Sequence, residues 1–225
     1  MGIDATLIRR LCVGADLKVG PYYDRRFLYD PRVLTPRFID AFAYASKAHA
    51  GQTRKGGSVP YIAHLMDVAA IVLFFDGTED QAIAALLHDA PEDAGGRAML
   101  EGIRRRFGDA VADIVDGCTD TYETPKPAWL DRKKSYIARI PALPPTTLLV
   151  AAADKLANAR SVLSDHRRFG EAVWTRFQGK RDGTLWYYRA VTDALARAMP
   201  SPLVTELARV VAELESLQPE TGQTV

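Results

Sequence analysis

The chain has 225 residues, 48% hydrophobic and 25% charged, with a formal net charge of +1. That length suits one sizeable domain, and near-neutrality excludes a global electrostatic attraction for nucleic acid or membranes, leaving only local basic patches. Its cysteines, Cys12 and Cys118, form no disulfide framework, and no apolar stretch approaches the about 20 residues that span a bilayer, so a reducing, cytoplasmic setting is expected.

Residues 1–34 are broken by Gly14, Gly20, Pro21 and Pro31. They predict an irregular arm with a short helix over 4–13 and aromatic packing from Tyr22, Tyr23, Phe27 and Tyr29. They also lack the apolar centre of a secretory leader. Thr35-Pro36 starts a helix, a capping hydroxyl followed by proline at the first helical position, with Phe38, Phe42 and Ala45 inward and an end near 49–51. Residues 51–60, GQTRKGGSVP, form a glycine-rich basic loop. A second helix over 61–75 turns Ile62, Leu65, Val68, Ala69, Val72 and Leu73 inward and carries His64. Gly77-Thr78 opens a third helix, with Glu79 and Asp80 suited to its first turn, and Pro91 is expected to stop it. Amphipathic helices follow over 98–107 and 110–116, then a proline-bearing loop over 121–129 and a charged surface helix over 130–139.

Pro141, Pro144 and Pro145 mark a linker, after which Thr146-Thr147 cap a strongly apolar helix over 148–163 with Asp154 in its middle. Residues 164–183 are polar, with Trp174 and Phe177 as anchors and His166 solvated. Final amphipathic helices run over 184–199 and 202–217, the first lined by Leu185, Tyr188, Val191 and Leu195, and 218–225 form a frayed tail. Nothing alternates with period two for long enough to make a strand, so the fold class is all-α, one helical domain over 35–217.

The chemistry concentrates in residues 82–93, AIAALLHDAPED. The apolar run 82–87 has to be buried, which carries His88, Asp89, Glu92 and Asp93 to the inner end of a core helix. Crowded carboxylates repel and are costly to bury unpartnered; a divalent cation removes that conflict. A helix ending in a solvated acidic turn explains this stretch equally well. Asp154 sharpens the choice, because an uncompensated carboxylate in so apolar a helix is costly unless Lys155 or Arg160 pairs with it. His64, His88, Asp89 and Asp154 lie on three apolar helices that must pack together, and two imidazoles with two carboxylates leave a six-coordinate metal open positions for water or a phosphate oxygen.

The order H…HD…D is the pattern of the HD metal-dependent phosphohydrolases. The segments HAGQTRKGGSVPYIAH (49–64), AALLHDAPED (84–93), FGDAVADIVDGCT (107–119) and ADKLANAR (153–160) resemble the hydrolase domain of the RelA/SpoT alarmone enzymes. With no synthetase region following, the chain resembles the stand-alone small alarmone hydrolases, the metazoan SpoT homologue among them. The resemblance covers about 35–163. It implies a helical HD-domain bundle with one Mn²⁺ at its centre and removal of the 3′-pyrophosphate from guanosine tetra- or pentaphosphate.

By the same resemblance His64, His88, Asp89 and Asp154 are the metal ligands, Glu92 and Asp93 the acid pair beside the attacking water, and Arg54, Lys55 and Asn158 the nucleotide contacts. The basic pair would neutralise pyrophosphate charge, and Asn158, four residues past Asp154, faces the same side of its helix. Leu65 stands where a proline is usual, and Ala157 where histidine or tyrosine is usual, which opens the base-facing wall. The adenosine counterpart, another nucleotide such as NADPH, and a catalytically silent nucleotide-binding module stay open as alternatives. A nucleotide is the expected partner, with no nucleic acid and no membrane, and the chain is a monomer or a homodimer.

Overall fold

The computed structural model describes residues 34–217. The expected N-terminal arm and the tail from 218 lie outside the described residues. Within them the protein is all helical, its one β-type feature an isolated antiparallel bridge between Thr53 and Pro60.

Helix α1 (Pro36–Ala48) begins as the sequence predicts, with the Thr35 hydroxyl accepting the Arg37 amide and Pro36 at the first position. Its inward stripe is Phe38, Ala41 and Ala45. Phe42, expected inside, faces water, because the helix rotates to lay its two small alanines flat against the core. Helix α2 (Ile62–Phe74) buries His64, Leu65, Val68, Ala69, Ile71 and Val72. Gly77 then turns the chain so tightly that a Cβ there would stand 2.4 Å from Val72 Cγ1. That turn delivers α3 (Glu79–Leu87), opened by a reciprocal capping box between Thr78 and Gln81. Its apolar run, Ala82 to Leu87, is buried throughout.

Pro91 does not stop this helix. α3 ends at Leu87, His88 and Asp89 form the turn, and Pro91 sits in the first turn of α4 (Ala90–Ala94). Proline lacks only the N–H that an opening turn leaves unpaired, so it favours a start here as readily as an end. Helices α5 (Gly96–Phe107), α6 (Asp109–Cys118) and α7 (Trp129–Arg139) follow, then a 3-10 turn over Ile140–Ala142.

Helix α8 (Pro145–Phe169) is 25 residues long. It begins at Pro145, within the expected linker and ahead of Thr146-Thr147, and runs six residues past the expected end at 163. Nothing between 164 and 169 breaks it; Gly170, at φ 58°, does. The polar stretch after it is therefore mostly ordered, a 3-10 segment Gly170–Arg176 leading to α9 (Lys180–Ala198) and α10 (Pro202–Ser216). His166, expected in water, donates a 3.0 Å hydrogen bond to Glu171 and packs on Trp174.

The central element is α8. It packs on α2, α3 and α6 and carries α9 and α10 beside it. Arg37 locks α1 to the far end of α3, donating to Glu79, Asp80 and the Phe107 carbonyl at 2.8 to 3.1 Å. Helices α2, α3 and α8 therefore meet where His64, the His88-Asp89 turn and Asp154 project. No helix among the described residues is long and apolar enough to cross a membrane.

Candidate metal centre

His64, His88 and Asp154 are all buried, and each offers a ligand atom such that all lie within 4.8 Å of one another. Asp154 Oδ1 stands 3.2 Å from His64 Nε2 and 3.5 Å from His88 Nε2. Asp89 Oδ2 lies 3.0 Å from His88 Nε2 and 3.5 Å from His64 Nε2. His64, His88 and Asp154 thus form one compact cluster, and Asp89 adjoins it through the two imidazoles.

The chemistry of these donors fits a divalent cation. His88 Nδ1 is 2.8 Å from the Ala85 carbonyl, an acceptor that places a proton on Nδ1 and turns Nε2 toward the cluster. Both Nε2 atoms are buried without a hydrogen-bond partner, a cost that a metal–nitrogen bond removes. Burial works against charge on His88, yet Asp89 and Asp154 outweigh it and raise the imidazole well above its ordinary value. Burial likewise opposes ionisation of Asp154, but Lys155, His64 and His88 hold it well below the usual carboxylate range. The field at this point favours a positive charge, and imidazole with carboxylate is a first-row donor set.

A ring of polar side chains orients the donors. Tyr61 donates to Asp89 Oδ2 at 2.6 Å; burial, then the charges of Asp89 and Asp93, keep its hydroxyl protonated far above the ordinary tyrosine range. Asn158 Nδ2 donates to Asp154 Oδ1 at 2.5 Å, and Arg54 donates to Asn158 Oδ1 at 2.6 Å. Lys155 Nζ reaches Asp154 Oδ2 at 2.5 Å while lying over the Tyr136 ring.

The acid pair occupies the first turn of α4, directly after Asp89. Glu92 accepts from Lys126 at 2.8 Å, and Asp93 accepts from Gln52 at 3.1 Å. Arg54 and Lys55 are presented by a hairpin-like loop closed by the Arg54 N–H to Val59 carbonyl bond, 2.9 Å. Partial burial, then the charge of Lys133, lower the Lys55 ammonium, which also feels Asp93 and Glu92. From His64 a cleft of about 340 Å³ opens between this loop and α8, lined by Arg54, Lys55, Asp67 and Ala157 among others.

Sequence reasoning missed Tyr61, Gln52, Lys126 and Lys133. Tyr61 and Gln52 flank recognised motifs; Lys126, between Pro125 and Pro127, carried only the signal of a cation in a stiff loop. Trp174, Tyr187 and Tyr188 are core side chains, whereas Trp186 is exposed.

Residues 41–185 match the family described as HD domain. Guanosine-3′,5′-bis(diphosphate) 3′-pyrophosphohydrolase MESH1 of Xenopus tropicalis is 36% identical over 127 residues, 55% of this chain and 68% of that protein. The human protein of the same name is 35% identical over 129 residues, 56% of this chain and 69% of that one. Among solved structures, a metazoan ortholog of SpoT, described as hydrolysing ppGpp with a role in starvation responses, superposes with a TM-score of 0.69 at 25% identity. The match covers 83% of this chain and 99% of that one.

Proposed function

Because the chain belongs to the HD-domain family, we propose that it hydrolyses guanosine tetra- and pentaphosphate, releasing the 3′-pyrophosphate. The observation that carries this reading is the pair of unpartnered, buried imidazole nitrogens of His64 and His88 turned toward two carboxylates. His64, His88, Asp89 and Asp154 would hold one Mn²⁺. When bound, that ion supplies Lewis acidity toward a phosphoryl oxygen and a lowered water pKa.

The remaining work falls to side chains of the chain itself. Glu92 and Asp93, in the turn after Asp89, orient a water and take its proton, with Lys126 and Gln52 fixing where their oxygens point. Arg54 and Lys55 neutralise the pyrophosphate, and Asn158, held between Arg54 and Asp154, positions the ribose side of the substrate. Water attacks the phosphorus attached to the 3′ oxygen; that P–O bond breaks, and the sugar leaves with a free 3′ hydroxyl. The hydrolase unit spans 35–217, works in the cytoplasm on a free nucleotide, and needs neither nucleic acid nor membrane.

Product analysis tests this. With manganese, guanosine tetraphosphate gives GDP and pyrophosphate in equal amounts. Release of orthophosphate, or intact nucleotide recovered after tight binding, contradicts the reading and favours another phosphatase or a silent binding module.

A further inference from the structure

The cleft leading away from His64 has two carboxylates in its wall, and they differ in one respect. Asp165 is engaged: its Oδ2 accepts from Arg176 at 3.0 Å, and the Arg176 guanidinium lies 4.6 Å from the Phe169 ring. Asp67 makes no hydrogen bond or ion pair with any described residue. It sits on α2 three residues past His64, about 4.5 Å along the helix axis and on the same side. Across the cleft the α8 wall offers the small, buried Ala157.

If the 3′ phosphorus is held at His64, the sugar and base extend into this cleft, whose volume of about 340 Å³ accommodates a nucleoside. We propose that Asp67 reads the Watson–Crick edge of the base there and selects guanine over adenine. Guanine presents two adjacent donors, N1–H and the N2 amino group, which match the two oxygens of one carboxylate. Adenine presents one donor, the N6 amino group, beside the N1 lone pair, so one carboxylate oxygen would face another acceptor. The site thus combines an attractive pair for guanine with a repulsive one for adenine. A good bidentate pairing of this kind is worth a preference on the order of 10- to 100-fold. This inference rests on the nucleotide reading above and adds to it the base and the residue that recognises it.

The test compares wild type, Asp67→Ala and Asp67→Asn. The readouts are kcat/KM for guanosine tetraphosphate and its adenosine counterpart, and Kd for GDP and ADP, which keep the base but have no 3′-pyrophosphate to lose. Wild type favours guanine at least tenfold by both readouts, Asp67→Ala brings the ratio near one, and Asp67→Asn, whose amide can accept from N6 and donate to N1, reverses it. Ratios in both variants within twofold of wild type, an equal loss for both bases, or wild type that binds neither product, overturn the inference. Release of pyrophosphate from neither substrate, with an Asp67-dependent preference for GDP, refutes the hydrolase reading while leaving the base assignment standing.

Discussion

What separates His88 from an ordinary core histidine is its hydrogen bonding. One ring nitrogen is satisfied by the Ala85 carbonyl, and the other is buried, makes no hydrogen bond and faces the carboxylates of Asp89 and Asp154. Replacing it removes a donor that no neighbour can supply, so His88→Ala is expected to lose stoichiometric Mn²⁺ binding by calorimetry, and with it hydrolysis. Glu92→Gln and Asp93→Asn act differently. Neither is a proposed ligand, so both variants should keep the metal while at least one loses about 10² to 10⁴ in kcat; loss of the ion in both would move them into the coordination sphere. The proposed ligands were legible because each is a polar group that an apolar helix cannot bury alone. Tyr61 and Lys126 were not, since a tyrosine before a helix and a lysine in a loop are ordinary until the fold brings them to Asp89 and Glu92.

At the level of elements, the loop carrying Arg54 and Lys55 depends on Gly56. Its φ is +75°, and a Cβ would stand 2.3 Å from Arg176 Cδ, so the loop is seated against the segment after α8. Left-handed geometry costs an alanine about 1 to 2 kcal/mol, and the clash must also displace Arg176. Gly56→Ala should therefore raise KM about tenfold with a much smaller change in kcat, measured by steady-state kinetics; an unchanged KM would mean that the loop does not meet the substrate. Helix existence and order were readable from periodicity and caps, above all Thr35-Pro36 and Thr78 with Gln81. The break at His88-Asp89 was not, because proline three residues later signals a boundary without saying on which side of it the helix lies. Gly170, not the polarity of residues after 163, fixed where α8 stops.

Over the whole molecule, the chain combines near-zero net charge with buried acids held by specific bases. Burial alone would raise the Asp120 carboxyl, but Lys133 and Arg132 outweigh it and lower it. Glu79 follows the same logic through the Thr35 amide and Arg37. A carboxyl depressed in the folded state adds stability above its unfolded value, near 4, and loses it as pH falls through the folded value. Acid should therefore weaken the fold below about pH 4. The stability gap between wild type and Asp120→Asn should shrink from pH 7 to pH 3 in denaturant titrations; a gap that widens would show that Asp120 is not stabilised as the anion.

The central claim is that α2, α3 and α8 converge to make one cation site on which hydrolysis depends. Titrating manganese into chelator-stripped protein while following pyrophosphate release from guanosine tetraphosphate tests it most directly. Activity that rises from zero and saturates at one ion per chain is the predicted result. Release that proceeds at full rate in chelator, or an ion bound with no release at all, would contradict it.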